Sequence, residues 1–279
     1  MGDRKVIDAH HHLWRYTREE YGWIDESMQR IRRDFLPADL TEEMARAGVD
    51  GAVAVQARQS LEETRWLLEL ADGCAAMRGV VGWVPIADPK FMKVMEEFAG
   101  RVKLKGLRHV IQGEPDENYI LREDFNQGIR SLTGTGLVYD ILIFERHLPQ
   151  TARFVDRHPN QMFVLDHIAK PKIAAGAREP WTTQIRELAR RENVSCKISG
   201  LVTEAKWDTW SLQTLRPYLD VVVEVFGPVR LMAGSDWPVC LVASEYEQWW
   251  NTLRTYFAAF SESEKESIFG ATAMNVYRL

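Results

Sequence analysis

The sequence is poor in several things that would point elsewhere. Cysteine occurs only three times in 279 residues, as Cys74, Cys196 and Cys240, with no CxxC pair. That count argues against a disulfide framework or a paired-cysteine zinc site and fits reduced thiols in a cytoplasmic protein. No stretch reaches the ~18 consecutive apolar residues of a membrane span. The first residues, MGDRKVIDAHHH, lack the apolar region of a signal peptide, and Val6 stands where a myristoylation motif needs Ser or Thr. Basic charge is not in excess. The 35 Lys and Arg against 40 Asp and Glu leave a formal charge of −5, which excludes a protein built to hold nucleic acid by neutralising phosphates. No linker, low-complexity tract or charge run marks a boundary, so residues 1–279 read as one domain.

What is present is an ordinary globular composition, 46 % hydrophobic and 27 % charged, with ten tryptophans. Eight short runs are rich in Val, Ile and Leu: KVIDAH (5–10), GAVAVQA (51–57), GVVGWVPI (79–86), LKGLRHVI (104–111), GLVYDILIF (136–144), MFVLDHI (162–168), VSCKISGL (194–201) and VRLMAGSD (229–236). Most are continuous rather than alternating, as in parallel strands buried on both faces. From Lys5 to Val229 they recur about every 32 residues, the length of a βα unit. The segments between them read as helices. Trp181, Ile185, Leu188 and Ala189 share one face, Thr41 is expected to cap a helix ending at Gly48, and LEETRWLLELADGCA and the final SEKESIFGATAMNVYRL are helical in pattern. Eight alternations predict an α/β fold, a (β/α)8 TIM barrel. A doubly wound sheet is the alternative, weakened because no GxGxxG or GxxxxGK[ST] follows the first strand.

In such a barrel chemistry sits at the C-terminal ends of the strands. The first strand ends in Asp8-Ala9-His10-His11-His12-Leu13-Trp14. Alternation points His10 and His12 together into the mouth, with Asp8 below them and a structural His11 facing away. Two imidazoles so placed can chelate one metal or polarise a carbonyl. The sixth run ends in Asp166-His167, and the eighth in Gly234-Ser235-Asp236-Trp237-Pro238. Asp236 is placed either to ligate a metal and deprotonate water or to cap the following helix. The fourth run offers Lys105, Arg108 and His109, suited to an anionic or hydroxyl-rich ligand, with a structural ion pair as the alternative for Arg108. Gln56, Trp83, Lys197 and Ser199 lie near strand ends as pocket walls. Cys240 is a poor nucleophile, because no His follows it. Trp207, Trp210, Trp249 and Trp250 fall in helical segments, where core packing is a commoner fate than an interface patch.

The segments DAHHHLW (8–14), DFLPADL (34–40), VQA (55–57), EETRWLLELA (62–71), KGLRHVIQGEPD (105–116), LDHIAKP (165–171) and GSDWPV (234–239) together resemble the amidohydrolase-related lactonase family of the amidohydrolase superfamily. The resemblance runs in order over nearly the whole chain. It implies a distorted TIM barrel that hydrolyses a lactone ring ester, with His10 and His12 as the HxH pair, His167 as the sixth-strand histidine and Asp236 as the eighth-strand aspartate. The full binuclear metal set of the wider superfamily is missing, so the implied cofactor is one divalent ion, Zn²⁺ first, held by His10, His12, His167 and Asp236, or none.

The expected mechanism has Asp236 deprotonating water while the three histidines stabilise the oxyanion. Trp14, Trp83 and Trp237 are expected at the mouth, where aromatic faces suit sugar rings. Only Arg108, with Lys197 or Arg58, is available to meet a dicarboxylate, so a sugar aldonolactone is expected as substrate, and the resemblance implies the L-fucono- or L-rhamnono- type. The alternatives are a 2-pyrone-4,6-dicarboxylate lactonase, a metal-dependent decarboxylase and a non-catalytic metabolite-binding barrel. No nucleic-acid or membrane partner is expected.

Overall fold

A computed structural model describes residues 5–279. The reading of the first residues as free of a signal peptide and a myristoylation site falls partly on residues 1–4, outside the described residues. All eight predicted runs form strands: β1 (Ile7–His11), β2 (Gly51–Val55), β3 (Met77–Gly82), β4 (Leu104–Val110), β5 (Val138–Leu142), β6 (Phe163–Leu165), β7 (Val194–Ile198) and β8 (Leu231–Ala233). They pair in parallel in sequence order. The ring closes where Asp236 N–H donates to the His10 carbonyl at 2.8 Å and His12 N–H to the Trp237 carbonyl at 2.6 Å.

The helices are α1 (Pro37–Ala47), α2 (Leu61–Gly73), α3 (Phe91–Met95), α4 (Glu123–Leu132), α5 (Leu148–Asp156), α6 (Trp181–Leu188), α7 (Leu201–Glu204), α8 (Leu212–Phe226), α9 (Tyr246–Tyr256), α10 (Glu262–Glu266) and α11 (Thr272–Tyr277). Helix α1 ends as expected at Gly48, whose φ of 63° is the left-handed cap conformation. Its start is earlier than expected. Pro37 opens the helix, the Asp39 carboxylate accepts from Leu36 N–H at 2.9 Å, and Thr41 sits inside, donating to the Ala38 carbonyl. Proline at the first helical position needs no N–H partner, which makes a Thr41 cap superfluous.

Two apolar layers follow from the strand alternation. Ile7, Ala9, Val53, Val55, Val81, Val138, Val164 and Met232 fill the barrel, joined by Ala273 and Tyr277 of α11. The opposite faces, such as Ala52 and Ala54 of β2, pack under the helices beside Leu67 and Leu68 of α2. Each fully buried valine contributes ~1.5 kcal/mol or more. Lys105 Nζ donates to the Arg278 carbonyl just past α11 at 2.7 Å, so α11 and the chain end cover the N-terminal end of the barrel and leave its C-terminal mouth open. Trp249 and Trp250 are buried core residues of α9, while Trp207 and Trp210 are half-buried. Among the described residues no helix is long and apolar enough to cross a membrane.

Candidate active site

A β-bulge decides which side chains enter the mouth. Between Asp8 and His11, β1 advances three residues while β2 advances two. Before the bulge Ile7 and Ala9 face the barrel interior. Asp8 therefore does not lie below the histidine pair as expected. It turns to α9 and the β8 end, accepting from Ser235 N–H (2.8 Å), Ser235 Oγ (2.5 Å) and Tyr246 Oη (3.1 Å). Beyond the extra residue, His10 and His12 share the mouth with their Nε2 atoms 3.2 Å apart. His11 is buried elsewhere, and burial pushes its imidazole down to about 3, so it stays neutral, in keeping with a structural role.

His167 reaches the same point from the end of β6. The chain there takes four successive left-handed residues, His167 to Lys170, with φ between 48° and 61°. Left-handed backbone costs roughly 1 kcal/mol per non-glycine residue, so this turn is held by its surroundings. Gly200 makes room for it. A Cβ there would sit 2.6 Å from His167 Nδ1, and the φ of 67° itself favours glycine. Asp236 is also left-handed, at φ 60°. The following turn, Val239–Val242, has no side-chain cap, which removes the capping role for Asp236.

Four donor atoms thus converge. Asp236 Oδ1 lies 3.4 Å from His12 Nε2, 3.7 Å from His10 Nε2 and 3.8 Å from His167 Nε2. His12 Nδ1 lies 2.7 Å from the Val55 carbonyl, so that nitrogen carries the proton and Nε2 is a bare lone pair. His167 Nδ1 meets Ser199 Oγ at 2.9 Å. A bare nitrogen held this near a carboxylate oxygen and a second ring nitrogen needs a proton or a cation between them. Tetrahedral zinc with nitrogen and oxygen ligands sets its donors about 3.3 Å apart, so His10, His12 and Asp236 fit a single ion, with His167 outside that group and 3.8 Å from Asp236 Oδ1. Burial lowers all three imidazoles, His167 to about 4, so they are neutral, as metal ligands must be. Burial raises Asp236, but His167, His12 and Lys170 outweigh it and hold the carboxyl below its ordinary value.

Beneath the histidines runs a buried column of charge. Tyr277 Oη of α11 donates to Asp140 at 2.8 Å. Lys197 Nζ lies 2.5 Å from Asp140 Oδ2, 3.0 Å from Asp166 Oδ1 and 3.2 Å from His10 Nδ1. Arg108 Nη1 donates to Asp166 Oδ2 at 2.9 Å. Burial pushes Asp140 up to about 6 against the pull of Lys197. Burial acts upward on Asp166 too, but Lys197, His10 and Arg108 hold it well below the usual range. Asp140 and Tyr277 are not among the residues the sequence singles out, and Lys197, expected in a pocket wall or against a ligand carboxylate, is instead buried between Asp140 and Asp166. A lone Asp in VYDIL and a lone Lys in VSCKI, both within apolar strands, were the available signal.

The converged groups open into a cavity of about 600 Å³, lined by His12, Arg108, His167 and Asp236 and by loop residues that include Trp23, Arg58, Lys170, Glu204 and Trp207. Several expected pocket residues lie elsewhere. Lys105 sits at the opposite end of the barrel, because it is at the N-terminal end of β4. His109 alternates outward from Arg108, stacks on Tyr119 and bonds Glu114 at 2.6 Å, and Trp83 Nε1 donates to it. Trp14 and Trp237 are buried against Phe35, with Trp14 Nε1 donating to the Arg33 carbonyl. Gln56 props Arg108 from behind, its Nε2 donating to the Arg108 carbonyl. Arg108 itself lines the cavity and forms the ion pair as well. Cys240 is buried, and burial raises its thiol well above the ordinary value, which excludes a nucleophile.

The amidohydrolase family model matches residues 7–279. An L-fucono-1,5-lactonase from Burkholderia multivorans is 39% identical, the match covering 98% of this chain and 96% of that protein. A second L-fucono-1,5-lactonase, from Burkholderia ambifaria, is 35% identical, with 98% and 95% covered. The crystal structure of a Burkholderia multivorans amidohydrolase with bound zinc superposes with a TM-score of 0.94 at 40% identity, covering 99% of each chain.

Proposed function

The chain belongs to the amidohydrolase family, and from that premise we propose that it hydrolyses the ring ester of a sugar lactone of the L-fucono-1,5-lactone type. The observation that carries the reading is the Asp236 carboxylate ringed by three neutral imidazoles at the floor of a cavity of about 600 Å³. That volume lies within the range of small-molecule sites and admits a sugar ring.

In this proposal Asp236, held ionised, accepts a proton from water as the water oxygen attacks the lactone carbonyl. Negative charge building on the carbonyl oxygen is met by the Nε2 positions of His10 and His167 and by the Arg108 guanidinium 3.5 Å from His10 Nε2, whereas His12, with a lone pair at Nε2, would ligate an ion instead of donating. The intermediate then collapses, the bond from carbonyl carbon to ring oxygen breaks, and Asp236 returns its proton to that oxygen. The product is the open hydroxy acid. His10, His12 and Asp236 would hold one divalent ion, with zinc the natural choice for two nitrogens and a carboxylate, and a bound ion would supply Lewis acidity at the carbonyl.

The test is acid release in a pH-indicator assay over 1,4- and 1,5-lactones of hexonic, deoxyhexonic and pentonic acids and the pyrone dicarboxylate. Each is run with protein as purified, chelated and resupplied with Zn²⁺. Rapid opening of one sugar lactone is expected. Silence over the whole panel from folded protein would overturn the proposal.

A further inference from the structure

Most polar side chains lining the cavity are already engaged. Arg58 pairs with Glu20 at 2.5 Å, Gln59 Oε1 accepts from Val110 N–H at 2.8 Å, Arg108 holds Asp166, and His12, His167 and Asp236 form the reacting cluster. Glu204 is different. It closes α7, just past the end of β7, and its side chain is 24% exposed to the cavity. Among the described residues its carboxylate accepts no hydrogen bond, and its ion pair with Lys170 is loose, at 3.9 Å. Three residues on, Trp207 forms the same wall, its indole tied back by Nε1 donating to the Thr203 carbonyl at 2.9 Å. A fixed aromatic face beside a carboxylate with unfilled lone pairs matches a sugar ring, which has apolar C–H faces and a rim of hydroxyl donors.

We infer that Glu204 selects for a polyhydroxylated, uncharged lactone, its two oxygens accepting hydrogen bonds from neighbouring hydroxyls while the ring lies against Trp207. The inference rests on the lactonase reading. Four oxygen lone pairs are available, and two adjacent hydroxyls can be taken by one carboxylate. The half-open pair with Lys170 keeps Glu204 in place without filling it. Burial raises the Glu204 carboxyl against the pull of Lys170, so it is poorly solvated and gains from a donor. An anionic lactone meets like charge from Glu204 and Asp236 in the cavity, while the cations there, Arg58, Arg108 and Lys170, are already paired with Glu20, Asp166 and Glu204, which counts against a dicarboxylate. Glu204 is thus a substrate-binding residue on which the bond-breaking chemistry does not depend.

The test compares wild type, Glu204→Ala and Glu204→Gln on L-fucono-1,5-lactone, with δ-valerolactone as a ring of the same size without hydroxyls. Loss of a charged hydrogen-bond partner corresponds to about 10- to 100-fold. The expected result is a rise of that size in KM for the sugar lactone, with a much smaller change in kcat. Glu204→Gln should recover part of it, because the amide keeps an acceptor, and the preference for sugar lactone over δ-valerolactone should shrink in both variants. A fall in kcat with KM unchanged would overturn the inference, and so would equal losses on both lactones or no change on either. Wild-type protein that opens no sugar lactone at all would instead bring down the functional reading itself, before any variant is compared.

Discussion

Replacing Lys197 by Met asks what holds the floor of the site together. The ammonium is fully buried between two carboxylates, 2.5 Å from Asp140 and 3.0 Å from Asp166, with His10 Nδ1 at 3.2 Å. Methionine has similar length and needs no partner, so packing changes little and the charge effect is isolated. What remains is two buried carboxylates, of which only Asp166 keeps a cation, Arg108. Breaking a buried ion pair by removing one partner costs ~3–5 kcal/mol, because the other charge stays desolvated. At ~2–4 °C per kcal/mol for a chain of this size, the melting temperature should fall by roughly 6–20 °C. The assay is thermal and urea unfolding at pH 7.5, with Asp140→Asn as the second arm of a double-mutant cycle. Neutralising Asp140 removes the orphaned charge, so the double variant should be more stable than Lys197→Met alone. A second signature is pH. Asp140 already titrates at about 6 in the wild type, and without Lys197 it should bind a proton more tightly still, so the stability lost by Lys197→Met should partly return as the pH falls towards 5. A single variant as stable as wild type, or a double variant no better than the single, would refute the argument that the column is held by charge compensation.

Asp236→Asn should fold normally and lose ~10²–10³ or more in kcat, and retention of a tenth of wild-type turnover would remove its role as base. Gly200→Ala forces a Cβ to within 2.6 Å of His167 Nδ1, so His167 must move. A shift of about 1 Å at such a group typically costs on the order of 100-fold in rate, and steady-state kinetics alongside a melting curve would separate this from unfolding. Glu63, buried under Ala57 N–H, Arg58 N–H and Tyr21 Oη, is pushed by burial from 4.5 up to about 7. The native state therefore binds its proton more tightly than the unfolded state. The stability this brings is full below pH ~4.5 and falls by about 3 kcal/mol as the pH rises to about 7. Glu63→Gln should flatten that slope in urea unfolding at pH 4.5 and 7.5, and parallel slopes in the two proteins would contradict it.

The barrel and its four convergent residues were legible in the chain because each depends on local pattern. A strand buried on both faces must be apolar throughout, so eight such runs about 32 residues apart announce themselves, and ionisable residues at their ends stand out against them. His10, His12, His167 and Asp236 were found in this way. Other features depend on pairings between distant segments. The bulge in β1 arises from its register against β2, and it alone turns Asp8 away from the mouth. Which of Arg108 and His109 faces inward is fixed by the β4 register, since a period of two gives opposite faces to neighbours without saying which face is the core. The tryptophans show the same division. Trp14, Trp83 and Trp237 sit at strand ends and pack inward, while Trp23 and Trp207, carried on loops more than 180 residues apart, are the ones that line the cavity. The Asp140–Lys197–Asp166 column joins the neighbouring strands β5, β6 and β7, and only their parallel pairing in register brings those charges within reach of one another. Local apolar burial therefore specified the scaffold from sequence alone. The tertiary structure decided which polar groups share a dielectric interior, because that depends on strand register and loop path.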